Sequence, residues 1–293
     1  MCDQDQLARW AKNLNRRQFG VLGATGALAA CAANGGMGES DAAMSSGSGG
    51  LVEDNVSFRT ADGTMDAFFV RPASGPSPAV IMWPDIASVR EAKRMMARRT
   101  AAEGFAVLLV NPYYRDVTGE QFADFAEFAA NSGFQKVKPW RDKLSSQAIM
   151  RDTTSIVNWL DAQELVDTDA GIGAEGYCMG GPFTVYSAAA VPSRVKAAAS
   201  FHGGGLVRED AESPHKLIPR TDASFLFAIA QDDDAKQPDA KTALREAAEA
   251  ASRNAVVDVY AADHGWTVPD APAYDRAEAE RAYAAKMRLY DTL

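Results

Sequence analysis

Gly176-Tyr177-Cys178-Met179-Gly180-Gly181 stands between a strand-forming run, Ala170–Gly176, and a helix-forming one, Pro182–Ala190. A cysteine in the pattern G-x-C-x-G, at the junction of a strand and a helix, predicts a sharp turn that lifts the thiol above a sheet. Small residues are needed two positions before and two positions after it, because a side chain there would strike the neighbouring strand or helix. A helix starting near Pro182 aims its positive end at the sulfur, and this favours the reactive thiolate. The amide of Met179, next in the chain, is placed to stabilise an oxyanion.

Working outward, strand and helix signals alternate. Asn55–Arg59 and Met65–Val70 are β-rich runs joined by Asp62-Gly63, a hairpin signal. Ala79–Trp83 and Phe105–Val110 read as buried strands ended by Pro84 and by Asn111-Pro112, with a helix from Ser88 to Glu103 between them. The pattern then predicts one long helix from about Pro139 to Gln163. Strands follow at Val195–Phe201, Phe225–Ala230 and Val256–Tyr260, with helices at Pro238–Ser252 and from Tyr274 to the end. Continuous apolar strands alternating with helices imply an α/β fold, a mostly parallel central sheet flanked by helices on both faces. Active residues in such folds lie beyond the carboxyl ends of the strands.

Two further strand ends carry chemistry. Gln231-Asp232-Asp233-Asp234 follows one strand, and Asp263-His264-Gly265-Trp266 follows the next. Nucleophile, acid and histidine therefore occur in the chain order that a hydrolase elbow requires. His264 reads as the base and Cys178 as the nucleophile. Among the three aspartates Asp233 is preferred as the acid, with Asp232 second. His202, in Phe201-His202-Gly203-Gly204-Gly205, also ends a strand and reads as a pocket-floor residue, whereas His215 reads as a surface residue.

Composition narrows the classes. The chain has 293 residues, with 30 Lys+Arg against 39 Asp+Glu and a net charge of −9. Four cations against two acids in the first thirty residues leave about −11 for the remainder. This balance excludes the basic footprint of a nucleic-acid binder. Three cysteines and three histidines, with no close ligand pair among them, exclude a disulfide framework and argue against a zinc site. No metal or cofactor is expected.

The start of the chain reads differently. Arg16-Arg17, an apolar stretch from Phe19 to Ala30, and Leu28-Ala29-Ala30 before Cys31 resemble a twin-arginine export signal with a lipobox. The apolar stretch is about half of a membrane-spanning helix. Residues 1–30 are thus expected to be an export signal handled by the twin-arginine machinery. Cys31 is the expected lipid attachment site, and the only membrane contact is through that anchor. Residues 31–50, rich in Gly, Ser and Ala, read as a flexible tether spanning on the order of 25 Å. The expected location is the periplasmic or cell-envelope side, with residues 51–293 forming one domain.

These motifs, together with Ser213-Pro214-His215 and Ala230-Gln231-Asp232-Asp233, resemble the dienelactone hydrolase family, an α/β-hydrolase branch with a Cys-Asp-His triad. The resemblance implies Cys178, Asp233 and His264 as the triad and the amides of Met179 and Ile86 as the oxyanion hole. It implies Asp85 as a counterpart of the family's thiolate-assisting glutamate, and Arg115 as a binder of a substrate carboxylate, with Tyr114, His202 and Trp266 as further site candidates. Where the family prototype places a second carboxylate-binding arginine, this chain has Val268. The implied activity is hydrolysis of an ester or enol-lactone, a small-molecule substrate, through a thioester acyl-enzyme. The rival readings are a lipid-anchored binding or thiol-sensing protein on an inactive hydrolase fold, and a thiol-based acyltransferase.

Overall fold

The computed structural model describes residues 50–293. The expectations for the export signal, the tether and Cys31 concern residues outside that range.

Eight strands form one sheet: β1 (Leu51–Thr60), β2 (Gly63–Pro72), β3 (Ala79–Trp83), β4 (Ala106–Val110), β5 (Ile172–Tyr177), β6 (Val195–Phe201), β7 (Ser224–Ala230) and β8 (Ala255–Tyr260). Their spatial order is β1-β2-β4-β3-β5-β6-β7-β8. The β1–β2 hairpin pairs antiparallel to β4, and every pair from β4 to β8 is parallel. This is the α/β architecture that the alternating signals predict.

The period-2 alternation of each inner strand sorts its side chains onto two cores. Ile81, Ala174, Phe225 and Phe227 pack with Ile149, Ile156 and Leu160 of helix α4 (Ser146–Asp161), Val185 and Ala188 of α5 (Gly181–Ala190), and Leu244 and Ala248 of α8 (Ala240–Ala250). Val80, Met82, Leu226 and Ala228 pack on the other face. There they meet Ala97 and Ala101 of α1 (Glu91–Ala102) and Ala279, Ala282 and Tyr290 of α9 (Arg276–Tyr290). Each fully buried Leu, Ile or Phe in these layers contributes on the order of 1.5–3 kcal/mol.

Register then decides what meets at the carboxyl edge. Trp83 lies opposite Gly176, so the loop after β3 runs beside Cys178. Tyr177 lies opposite Phe201, which brings His202 beside the cysteine. Ala230 lies opposite Tyr260, which sets the aspartate run next to the loop carrying His264.

One helix expectation is corrected. The single helix over residues 139–163 is two, α3 (Gly133–Arg141) and α4. Ser145 ends the continuity, because its side chain accepts the Ala148 N–H at 3.2 Å and caps a new helix. Beyond α6 (Pro214–Leu217) and β7, the aspartates lie in the first turn of a short helix, α7 (Gln231–Lys236), a favourable end for acidic side chains. The aromatic insertion over residues 119–138 contains α2 (Phe125–Ala130) and the start of α3. Phe122, Phe125 and Phe134 each pack on Phe128 there, with ring centroids 4.7–5.4 Å away.

Candidate active site

The turn after β5 is as tight as its glycines predict. Cys178 has φ +53°, a left-handed conformation that is uncommon for a residue with a Cβ. A 3-10 turn, Cys178–Gly180, leads directly into α5. A Cβ on Gly176 would sit 2.0 Å from the Gly180 carbonyl oxygen, and one on Gly180 would sit 2.6 Å from the oxygens of Trp83 and Pro84. The chain can pass this closely only without side chains, and the result is a cysteine held at the sheet edge, 6% exposed.

His264 reaches it from the loop after β8. Its Nδ1 lies 2.5 Å from Oδ2 of Asp233, and its ring also hydrogen-bonds the Cys178 side chain, which leaves Nε2 facing the sulfur. Burial alone would lower the His264 pKa. The charge of Cys178 and the hydrogen bonds with Asp233 and Cys178 outweigh it and raise the pKa to about 10. Burial raises the Asp233 pKa, but the His264 hydrogen bond and charge lower it by more. The structure therefore brings Cys178, His264 and Asp233 into one line.

Asp232 has a different partner. Its Oδ1 accepts the backbone N–H of His264 at 2.8 Å. Successive positions on a helix point in different directions, so one aspartate holds the imidazole and its neighbour holds the backbone of the same residue.

His202 lies behind the cysteine. Its Nδ1 accepts the Cys178 N–H at 3.1 Å and its Nε2 lies 2.8 Å from the Thr267 hydroxyl. With Nδ1 accepting, the ring is the neutral Nε2–H tautomer donating to Thr267. Burial pushes its pKa well below 6.5, and the neighbouring His264 and Lys93 add to that. The pocket-floor residue of the sequence reading is thus a brace for the turn. Trp266 is fully buried, stacked on Tyr260 at 5.1 Å and edge-on to His202 at 5.1 Å. It supports the wall behind His202 and presents no surface to a ligand, which corrects its place among the substrate-contact candidates.

The loop after β3 carries Ile86, 2% exposed, and Asp85. Both Asp85 oxygens are engaged: Oδ1 accepts from Arg90 at 2.7 Å and from the Ala87 N–H at 3.0 Å, while Oδ2 accepts from Arg90 at 2.9 Å and pairs with Lys93 at 3.1 Å. Burial would raise its pKa, but the two cations hold the carboxyl far below the usual carboxylate range. Asp85 is therefore a fixed anion that anchors the loop, unsuited to taking a proton from a thiol. Arg90 goes on to bind Asp270 through Nε at 2.7 Å and Nη2 at 2.8 Å, and Asp270 accepts the Phe125 N–H at 3.0 Å. One buried guanidinium thus ties the Ile86 loop to the His264 loop, and Asp270 ties that loop to the aromatic insertion.

Arg115 and Tyr114 are drawn elsewhere. Arg115 makes a bidentate pair with buried Asp152 at 2.9 and 2.7 Å, and its Nε and Nη2 both donate to Oδ2 of Asp62, at 3.2 and 2.7 Å. The Tyr114 hydroxyl donates to Asp152 at 2.6 Å and accepts from Thr60 at 2.8 Å. A substrate carboxylate at Arg115 would have to displace protein carboxylates. Tyr113 is the tyrosine that faces the site. Its hydroxyl lies 2.9 Å from the Ile86 carbonyl oxygen, to which it donates, and 3.3 Å from the Met179 sulfur, so it links the two residues named for the oxyanion hole.

Tyr113, Arg90 and Asp270 were not singled out by the sequence, and Asp232 was read there only as the second candidate for the acid. Arg90 and Asp270 act across 180 positions of chain, and no local pattern marks such a pair. Among the described residues, no group of three or more His, Cys, Asp or Glu could hold a metal ion.

Comparison with known proteins gives the family and the fold. The model of the dienelactone hydrolase family matches residues 65–293. An Escherichia coli (strain K12) protein named "Putative carboxymethylenebutenolidase" is 27% identical over 251 residues, covering 82% of this chain and 87% of its own length. The crystal structure of a "Putative Dienelactone Hydrolase" from Klebsiella pneumoniae superposes with a TM-score of 0.70 at 24% identity, over 83% of this chain and 99% of that one. A dienelactone hydrolase-like promiscuous phosphotriesterase from metagenomic libraries gives 0.65 at 24% identity, over 83% and 98%. With more than half of its length matched by the family model, the chain belongs to the dienelactone hydrolase family.

Proposed function

We propose that the protein hydrolyses a small ester or lactone through Cys178. The observation that carries this reading is His264, hydrogen-bonded on one side to Asp233 and on the other to a cysteine held at positive φ. An imidazolium beside the sulfur stabilises thiolate, the attacking form.

The chemistry follows in two halves. Sγ attacks the carbonyl carbon, and the oxyanion is received by the amides of Met179 and Ile86. Collapse breaks the bond to the leaving oxygen, which takes the Nε2 proton of His264, and a thioester to Cys178 remains. Water then gives a proton to Nε2 and attacks the thioester, and Sγ leaves as thiolate while the acid is released. Asp233 keeps the imidazole in the tautomer and orientation that both halves need. A thiolate leaves more readily than an amine or a basic alkoxide, so enol esters, enol lactones and activated esters are the favoured substrates.

The decisive experiment is Cys178→Ala assayed on p-nitrophenyl acetate, with circular dichroism to verify folding. The expected loss in kcat is at least about a thousandfold, and intact-mass analysis of the wild type should trap an acyl adduct on Cys178. Retained turnover in the folded variant would overturn the reading. An inert wild type whose thiol also resists iodoacetamide would favour a binding protein, and product partition toward added alcohols would favour an acyltransferase.

A further inference from the structure

A substrate that carries its own carboxylate needs a cation free to receive it. Four cations on the segments around Cys178 and His264 are already matched by carboxylates of the chain. Arg90 is fully buried and spans Asp85 and Asp270. Lys93 is fully buried on Asp85, with its Nζ 4.0 Å from the Tyr177 ring centroid. Lys236 pairs with Asp232 at 3.2 Å and Asp233 at 3.5 Å. Arg115 holds Asp152 and Asp62. The Asp152 side chain is 1% exposed, so withdrawing Arg115 toward a ligand would leave a buried carboxylate without its cation, a strongly unfavourable exchange.

The local charge balance is acidic even after Lys236 is counted against Asp232 and Asp233, and Lys241 against Asp234 at 2.7 Å. Asp232, Asp233 and Asp234 fill the first turn of α7, and Asp263 precedes His264. A field of this sign disfavours an incoming anion. Apart from the internally paired Asp85, Arg90 and Lys93, the side chains beside the candidate oxyanion residues are apolar or neutral. Tyr113 touches Ile86 and Met179, and its ring lies 5.6 Å from that of Trp140. Val268 is buried on the loop that carries His264.

We infer that this site takes an uncharged ester or lactone with an apolar or aromatic acyl part, and discriminates against a substrate bearing a free carboxylate. The inference rests on the hydrolase reading above and specifies its substrate class.

The test is a matched pair: p-nitrophenyl hydrogen adipate and its methyl ester, methyl p-nitrophenyl adipate. Leaving group and acyl chain are the same, and only the terminal charge differs. At pH 7 and low salt, kcat/KM for the methyl ester should exceed that for the free acid by about tenfold or more, mainly through KM. Equal rates, or a preference for the acid, would overturn this inference and leave the hydrolase reading intact. Failure to turn over either compound would overturn both.

Discussion

His202 shows how much one side chain can carry without touching a substrate. It accepts the Cys178 N–H, and it does so from a backbone with φ +41°. Protonation would place a proton on Nδ1, facing another N–H, so the fold holds the ring neutral and its pKa is depressed. The linkage sign follows. Just below pH 6.5 the unfolded chain binds a proton at this residue and the folded chain does not, so stability falls on acidification by up to about 1.4 kcal/mol per pH unit. His264 has the opposite shift. Its contribution is fully present below about pH 6.5 and is lost as pH rises through about 10, so it does not add to the acid slope. In His202→Asn the amide oxygen can still accept the Cys178 N–H, and Asn tolerates positive φ. Melting temperature measured from pH 7 to pH 5 should fall steeply in the wild type and more gently in this variant. Parallel curves would assign the acid sensitivity to other groups.

At the scale of the element, the turn from β5 into α5 depends on what its residues lack. Gly176 contributes an open space into which the Gly180 carbonyl fits, and a Cβ would overlap that oxygen at 2.0 Å. Such overlap cannot be relieved by turning a side chain, because the obstacle is backbone. Gly176→Ala should therefore destabilise the protein by about 3 kcal/mol or more in urea unfolding. Gly119→Ala is the comparison: its φ is +72° but its Cβ would have open space, so only the conformational cost of about 1–2 kcal/mol applies. Equal losses in the two variants would show that backbone strain, rather than close approach, sets the sensitivity. The helix expectation over residues 139–163 failed at this same scale. Apolar spacing is continuous through Leu144, and the cap at Ser145 becomes visible only when its hydroxyl is seen on the Ala148 N–H.

For the whole molecule, the parallel half of the sheet ends at β8, and an edge strand invites pairing with another chain. Val256 and Val259 are 53% and 37% exposed there. Two helices guard this edge: Arg245 of α8 donates to the Val257 carbonyl at 2.5 Å and Arg281 of α9 to the Val259 carbonyl at 3.4 Å. Removing both donors in Arg245→Ala/Arg281→Ala should raise self-association with concentration, read by light scattering. Unchanged scattering would mean that the guanidinium groups do not protect the edge.

The fold class and the placement of Cys178 and His264 at strand ends were legible in the sequence. Strand alternation, glycine spacing and turn residues are local, and they act through sterics that any nearby backbone would impose. The choice between Asp232 and Asp233 was not local: both lie in the first turn of α7, and only the direction of each side chain from that helix separates the imidazole from the backbone of His264. The fates of Asp85 and Arg115 were likewise decided by tertiary structure. A carboxylate or guanidinium looks available in a sequence, but its charge belongs to whichever partner the fold brings within 3 Å. For Asp85 those partners include Arg90, and for Arg115 they include Asp152, on a different element of the fold. Residue types and their spacing set which chemistry the chain could attempt. Ion pairing in the folded chain, local for Asp85 and between distant segments for Arg115, decided which of the charged groups remained free to take part.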